Sequence, residues 1–395
     1  MNVYTPIGYL AVSAILLAIA ASPVFRAADA SWHTQTNRTS TIDGLRGFLA
    51  LGVFFHHAVI YHRFLIDGVW TTPPSALYTE LGQASVVLFF MITGFLFWGK
   101  AIRTQARPGW RKLYISRVFR IAPVYCISTL TMVLIVFSAS DFTLRQPLEQ
   151  VLHQGLPLLF FGFFGNIHSL NGYPAPGTIT AGVTWTLRYE WYYYLTILPL
   201  TALAFARSTR SAILFSALAL LLCLAGLAWH QTMNGTALAY FLAGMCVVSL
   251  HEHNRIATKI PLADTVRSVA AAGLMLLVVV FFSTTYTAAP VFLLFLVFLL
   301  VTSGASVFGL LYSRTARRLG EMSYSIYLLH GTVLWLVFHA PGVRSFAGHS
   351  LAAYWAVIAL ASALIVLLSR ITFLHIEKPG IRLGKRLAGD GPRTE

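Results

Sequence analysis

A histidine and an arginine share one predicted helix face near the start of this 395-residue chain. Arg46 and His57 are 11 residues apart, which at about 100° per residue makes close to three full turns. An imidazole titrates near neutral pH and can remove the proton of a hydroxyl group. His56 lies about 100° away round the helix and is predicted to face elsewhere. The spacing makes His57 a candidate general base, with a hydrogen-bonded structural histidine as the alternative.

A second pair of basic residues, Arg117 and Arg120, stands where a predicted membrane helix begins. Residues three apart share a helix face, and guanidinium groups bind phosphate through paired hydrogen bonds. With Arg46, Arg111 and Lys112 they predict a cationic patch at the cytosolic membrane boundary. Such a patch suits a phosphate-bearing ligand, and the alternative is a plain signal for membrane orientation.

Two further ionisable residues lie in or beside apolar segments. Glu190 starts segment 190–206 and is predicted either to orient an imidazole or to bind acceptor hydroxyls, with a helix-dipole charge as the alternative. His330 shares a predicted helix face with Ser323 and Tyr327, and this polar stripe indicates a lined cavity rather than lipid contact. Direct chemistry and orientation of the catalytic centre are both open for His330. No metal-ligand pattern and no glycine-rich phosphate loop occurs in the sequence.

The elements that position these residues are predicted to be membrane helices. The chain is 57% hydrophobic and only 10% charged, with a mean hydropathy of +0.71, whereas about 25% of residues are charged in a soluble domain. Uncharged runs of about 20 residues recur, the length that spans a bilayer. A soluble enzyme, a disulfide scaffold and a disordered chain are excluded. The net charge of +15 indicates basic residues at cytoplasmic helix ends rather than nucleic-acid binding.

The fold class predicted is an all-α polytopic membrane protein with about eleven transmembrane helices and one re-entrant segment. Segment 151–165 is short and interrupted by Pro157, Gly162 and Gly165, which favours a re-entrant path. Segment 6–24 is interpreted as a retained anchor, with a cleaved signal peptide as the alternative. The predicted crossings are 6–24, 43–62, 84–100, 119–138, 190–206, 211–229, 236–251, 267–285, 288–308, 323–339 and 351–374.

The basic residues then predict which side each link faces. With 151–165 re-entrant, all of the 28 Lys and Arg residues lie inside except Arg63, Arg145, Arg188 and Arg344. This arrangement follows the positive-inside rule. It places the N-terminus outside, the C-terminus in the cytoplasm and the chain in a cell membrane, where we expect the bacterial inner membrane.

Six motifs occur in a fixed order over residues 43–380, and together they resemble the acyltransferase-3 family of integral-membrane O-acyltransferases. Each motif alone is weak, but their order covers nearly the whole chain. They are Asp43-Gly44-Leu45-Arg46-Gly47 with His56-His57, Phe89-Phe90-Met91-Ile92-Thr93-Gly94-Phe95, Arg117-Val118-Phe119-Arg120-Ile121-Ala122-Pro123, Trp185-Thr186-Leu187-Arg188-Tyr189-Glu190 with Tyr193-Tyr194, Ser323-Tyr324-Ser325-Ile326-Tyr327-Leu328-Leu329-His330, and Glu377-Lys378-Pro379.

The resemblance implies a ten-helix core, to which segment 6–24 adds an extra N-terminal helix. It divides the chain into an N-terminal anchor and link (1–41), an acyltransferase-3 membrane domain (42–380) and a basic cytoplasmic tail (381–395). Departures from the family pattern are mild at Thr93, which replaces Ser, and at Lys378, which replaces Arg. The role of the extra helix is left open.

The resemblance also implies roles for the residues. His57 would be the base, with Glu190 and His330 as further catalytic candidates, and the donor would be a cytosolic acyl-CoA held by Arg46, Arg117 and Arg120. Glu190, Tyr193 and Trp185 are the expected acceptor contacts, and no metal is expected. The acyl group expected is acetyl. Direct transfer and a covalent acyl-histidine are both open.

The acceptor expected first is a hydroxyl of an envelope polysaccharide or other glycan, because loops 62–83 and 139–189 are predicted to face outward. A macrolide or another small hydroxylated molecule is the alternative acceptor. A transporter and a membrane sensor or scaffold are alternatives of another class. The expected partners are acyl-CoA, the acceptor and membrane lipid, with no nucleic acid.

Overall fold

The computed structural model describes residues 3–26, 40–253 and 262–389. Across these residues the chain is all-α, with 16 α-helices. The first eight helices are α1 (Pro6–Ala21), α2 (Ser40–Asp67), α3 (Ala76–Arg103), α4 (Trp110–Ser138), α5 (Leu148–Gly155), α6 (Trp185–Tyr192), α7 (Leu198–Phe205) and α8 (Thr209–Trp229). The others are α9 (Met233–His253), α10 (Asp264–Phe281), α11 (Ala288–Thr302), α12 (Arg314–Glu321), α13 (Ser323–His339), α14 (Val343–His349), α15 (Leu351–Thr372) and α16 (Lys378–Leu387).

Short irregular elements join or interrupt these helices. Two π-helical segments, Tyr193–Ile197 and Phe373–Glu377, run without a break between α6 and α7 and between α15 and α16. Stretches of 3₁₀-helix span 23–26, Leu156–Phe160, Pro176–Thr180 and Leu310–Tyr312. An antiparallel pair of strands, β1 (Ser169–Leu170) and β2 (Tyr173–Pro174), pairs Ser169 with Pro174 and Leu170 with Tyr173.

Seven helical stretches among the described residues are long and apolar enough to cross a membrane. They are α2, α3, α4, α8, α9, α10 and the stretch Leu351–Leu387. The pair α13 and α14, bent by 87°, adds an eighth span if it is counted as one. Helices α1, α11 and α6–α7 occupy the remaining predicted segments. The chain is therefore a multi-pass membrane protein, with seven or eight spans supported by length and composition where the sequence predicts eleven.

The region predicted to be re-entrant is built from short and irregular elements. Residues 151–165 hold the end of α5, a 3₁₀-helix and a turn. Irregular backbone also packs closely against α13 in the segment after β2, where a Cβ on Gly331 would lie 2.2 Å from the backbone of Thr180. Gly331 is at the middle of α13, so only glycine permits this approach. Irregular backbone at such depth is tolerated where protein buries it.

Helix α2 occupies the centre of the bundle and packs against α3, α12 and α13. Its contact with α12 is backbone to backbone. A Cβ on Gly44 would lie 2.0 Å from the carbonyl oxygen of Leu311, and one on Gly320 would lie 1.8 Å from that of Asp43. The glycines of the Asp-Gly-Leu-Arg-Gly motif thus allow α2 to approach its neighbours closely, and this contact fixes the direction in which Arg46 and His57 point.

The N-terminal helix α1 is packed into the bundle rather than lying apart. Its buried residues recur every fourth position, and Gly8 contacts the ring of Trp355 on α15. The buried guanidinium of Arg318 donates to the carbonyl oxygens of Ala20, Ala21 and Ser22 at 2.9, 3.1 and 3.3 Å. These carbonyls have no partner within α1, so an arginine distant in sequence completes the end of the helix. The predicted link that follows, 27–39, lies outside the described residues.

The start of the predicted basic tail is helical. Residues 381–387 continue α16, which packs along α4 with Gly384 against Phe119. Arg382 and Lys385 on this helix face the cavity described below. Residues 390–395 of the predicted tail lie outside the described part of the chain.

Candidate active site

Two histidines from different helices meet inside the bundle. Nε2 of His330 on α13 lies 3.0 Å from Nδ1 of His57 on α2, and the ring centroids are 5.0 Å apart. His330 is completely buried, whereas His57 keeps some exposed surface. The sequence marked both residues as candidates, and the structure brings them into direct contact.

The backbone carbonyls around this pair indicate which ring nitrogens carry hydrogen. Nδ1 of His330 lies 2.8 Å from the carbonyl oxygen of Tyr327 and 3.2 Å from that of Ile326. Nδ1 of His57 lies 3.0 Å from the carbonyl oxygen of Val53. A carbonyl oxygen only accepts, so both Nδ1 atoms carry hydrogen. In this tautomer the single Nδ1 hydrogen of neutral His57 is shared between the carbonyl oxygen of Val53 and Nε2 of His330, and the lone pair on Nε2 of His57 is left available for a substrate proton.

His57 and His56 contact different parts of the bundle. The indole of Trp70, in the loop after α2, stacks on the imidazole of His57 with 6.2 Å between ring centroids. His56 faces α3 instead, where its Nδ1 lies 2.8 Å from the carbonyl oxygen of Tyr78 and its ring fills the space beside Gly82. His56 is thus directed away from the histidine pair, as the helix spacing predicts.

A cavity of about 770 Å³ opens among α2, α3, α4, α6, α13 and α16. It extends along α3 from Val86 to Lys100, 14 residues or roughly 21 Å of helix. Its basic lining residues come from α2, α3, α4 and α16. The basic residues that line it are Arg46, Lys100, Arg117, Arg120, Lys378, Arg382 and Lys385.

Aromatic and acidic partners hold the two arginines of α4. The guanidinium of Arg117 lies 4.8 Å above the ring centre of Phe97. Arg120 lies 3.8 Å from Oε1 of Glu377, a fully buried carboxylate whose other oxygen accepts from the Ser325 hydroxyl at 2.9 Å. Glu377 belongs to the closing Glu-Lys-Pro motif, so the third and the last of the six motifs meet in this ion pair. Sequence spacing could not show this contact, because 257 residues separate the two side chains.

Glu190 lines the same cavity as the arginines. Its Oε1 accepts from the hydroxyl of Thr93 at 3.2 Å, so the threonine in the place of the family's serine supplies the same kind of donor. Glu190 also interacts electrostatically with Arg117 and Arg120. The sequence predicts Glu190 as a catalytic candidate and acceptor contact, and the structure places it on the same cavity wall as the arginines.

The two expected aromatic contacts are not among the residues that line the cavity. Tyr193 is fully buried and stacks on Phe241 with 4.4 Å between ring centroids. Trp185 packs edge-on against Tyr189. Tyr194, one residue later, lines the cavity instead. A π-helical turn begins at Tyr193, and the local sequence gives no signal for this change in the direction of the side chains.

Along α13, the cavity lining ends at Tyr327, one helical turn before His330. Phe89 and Thr186 line the cavity beside Tyr327, and we call these three residues the neck. The ring centroid of Tyr327 is 6.2 Å from that of His330, but neither His57 nor His330 lines the cavity. Phe89 and Trp70 were not singled out as site residues from the sequence, because an isolated aromatic residue in an apolar segment has no distinguishing pattern. Among the described residues, no group of three His, Cys, Asp or Glu could hold a metal ion.

Comparison with known proteins agrees with the arrangement of the motifs. A family model described as an acyltransferase domain matches residues 40–373, from the start of α2 to the end of α15. No curated protein and no solved structure matches the chain. The match covers well over half of the chain, and the protein belongs to the acyltransferase-3 family of membrane acyltransferases.

Proposed function

We propose that the protein transfers an acyl group, expected to be acetyl, from cytosolic acyl-CoA to a hydroxyl of an envelope polysaccharide or other glycan. One observation carries this proposal. A histidine with an available Nε2 lone pair lies just beyond a deep cavity whose entrance is cationic. Acyl transfer to a hydroxyl needs a positioned base of this kind.

The cationic end of the cavity suits the donor. Coenzyme A carries several phosphates on a long flexible arm, and guanidinium groups bind phosphate well. Arg46, Arg117 and Arg120 are the proposed phosphate contacts. The length of the cavity along α3 lets the arm extend from these residues towards the neck, so that only the thioester has to reach the histidine pair.

The transfer step follows from the assigned protons. Nε2 of His57 removes the proton of the acceptor hydroxyl as its oxygen attacks the thioester carbonyl. The C–S bond then breaks, the new ester forms, and the departing sulfur takes the proton from Nε2. His330 holds Nδ1 of His57 throughout and orients the ring. In the covalent alternative, Nε2 attacks the thioester first and the acyl group passes to the acceptor in a second step.

The loops predicted to face outward indicate the direction from which the acceptor would reach His57. The histidine pair is roughly midway along α2, and the indole over His57 comes from the loop 68–75. A hydroxyl that approaches from this loop meets the thioester at His57 without either substrate crossing the membrane. Glu190, with its arginine neighbours, is then better suited to ordering the donor site than to binding the acceptor.

The proposal is tested by the release of CoA and by the fate of the acyl group. Purified protein in vesicles receives acetyl-CoA with membrane glycan, and free CoA is measured for the wild type, for His57→Ala and for His339→Ala. His339 is a matched control at the outer end of α13, stacked on Trp335. Mass spectrometry compares envelope glycans from cells with and without the protein. Equal activity in His57→Ala and the wild type would contradict the mechanism, and unchanged glycans would contradict the acceptor.

A further inference from the structure

The two arginines of α4 that line the cavity are held in different ways. Arg120 lies 3.8 Å from a carboxylate oxygen of Glu377, whereas Arg117 forms no ion pair within the described part of the chain. The guanidinium of Arg117 instead lies 4.8 Å from the ring centre of Phe97, and Glu190 on the same cavity wall interacts with it electrostatically. A ring face and a nearby charge attract a guanidinium without fixing the direction of its N–H groups. Another contact is needed to set that direction.

Tyr194 supplies this contact. Its hydroxyl is close enough to the Arg117 guanidinium for a hydrogen bond. Its ring meets that of Phe97 edge to face, with 4.9 Å between ring centroids and 66° between ring planes. Tyr194 is buried and lines the cavity beside Arg117. A phenol oxygen can accept from a guanidinium N–H group, so Tyr194 and Phe97 together hold Arg117 by its edge and its face.

The backbone of Tyr194 is tied to the same helix as Arg117. The hydroxyl of Tyr114 on α4 donates to the carbonyl oxygen of Tyr194 at 3.1 Å. Tyr114 precedes Arg117 by three residues, so both project from one face of α4. The indole of Trp191 packs edge-on against the ring of Tyr194, with 6.2 Å between ring centroids. Tyr194 therefore contacts α4 through its backbone and its side chain, and its hydroxyl cannot leave Arg117 without the loss of these contacts.

We propose that Tyr194 is a positioning residue that fixes the guanidinium of Arg117 in the direction in which it binds a phosphate of the donor. This inference rests on the proposed acyl-CoA donor and adds a residue to which the sequence motifs assign no role. An arginine side chain loses rotamer freedom when it binds a ligand, and a side chain that is already held loses less. The hydroxyl of Tyr194 should therefore lower KM for the donor and leave kcat unchanged, because the reacting atoms meet at His57.

The test compares wild type, Tyr194→Phe and Tyr189→Phe in vesicles that receive acetyl-CoA and membrane glycan. Tyr194→Phe keeps the ring against Phe97 and loses only the hydroxyl. KM for acetyl-CoA should therefore rise about three- to tenfold, with kcat within about twofold of the wild type. Titration of the purified protein with CoA alone should show the same fold-change in Kd. Tyr189→Phe is the matched control, since it loses a hydroxyl that bonds to Asn234 at 3.1 Å outside the cavity lining, and it should keep the wild-type KM and Kd.

A double-mutant cycle separates positioning of Arg117 from a general effect on folding. In an Arg117→Ala background, Tyr194→Phe should leave Kd for CoA within about twofold of Arg117→Ala alone, because there is no guanidinium left to fix. An equal fold-change in both backgrounds overturns the inference, and so does a Tyr194→Phe protein with the wild-type Kd and KM. A wild type that binds no CoA contradicts the proposed function itself, and the inference is then wrong with it.

Discussion

At the scale of single residues, the hydrogen bond between His57 and His330 predicts that His330 orients His57 and does not bind the donor. His330→Ala should lower kcat by about 10²-fold and leave KM for the donor nearly unchanged, because it frees the imidazole of His57 to rotate without touching the arginines. His330→Gln should recover part of kcat, since its amide oxygen can accept from Nδ1 of His57. Steady-state kinetics with acetyl-CoA measure both values. A rise in KM with constant kcat would assign His330 to donor binding instead.

The arginines of α4 predict the opposite pattern. Arg117→Ala should raise KM for the donor by about tenfold or more with a smaller change in kcat, because a charged hydrogen bond to phosphate is lost. Arg117→Lys should restore only part of the affinity, since lysine lacks the planar fork of donors. Arg103, which pairs with Glu252 at 2.6 Å and does not line the cavity, is the control. Equal KM values for Arg117→Ala and Arg103→Ala would show that Arg117 does not bind the donor and that the cationic patch is only a signal for membrane orientation.

At the scale of elements, the ion pair between Arg120 and Glu377 joins α4 to the second π-helix, Phe373–Glu377. Arg120→Ala should destabilise the protein by about 1–3 kcal/mol, the cost of leaving a buried polar group without its partner. Adding Glu377→Gln should recover part of the loss, because a neutral amide keeps the bond from Ser325 and no longer needs a cation. Thermal unfolding in detergent compares the single and double variants. No recovery in the double variant would show that the pair is too weak to matter.

Element positions were predictable from the sequence, but element details were not. Every segment predicted as a crossing is helical in the structure, because long uncharged runs have few alternatives in a bilayer. The direction of Tyr193 could not be predicted, since a single π-helical turn depends on packing across the bundle. The position of Glu190 near Arg117 could not be predicted for a related reason. It depends on how α6 approaches α3 and α4, and no periodicity in the sequence encodes that distance.

At the scale of the whole molecule, the predicted orientation is open to a labelling test. In a background without Cys126, Cys223 and Cys246, Pro174→Cys should react with an impermeant thiol reagent added to intact cells. Arg107→Cys should react only after lysis, because the basic link 100–118 is predicted to be cytoplasmic. Both positions are exposed in the structure, so access does not depend on unfolding. Labelling of Arg107→Cys in intact cells would invert the orientation.

The contact of the Arg318 guanidinium with the last carbonyls of α1 has a consequence for the order in which the protein is synthesised and assembled. The carbonyl of Ala20 and its partner Arg318 are separated by 298 positions in the chain. At a synthesis rate of about 5–20 residues per second, roughly 15–60 s pass between the emergence of the helix and that of its cap. During this interval α1 has none of its later neighbours on α12 and α15. Until then α1 has only the contacts with earlier helices, such as the edge-on packing of Tyr9 on Phe55 of α2, and its docking onto α12 and α15 is among the last steps in assembly of the bundle.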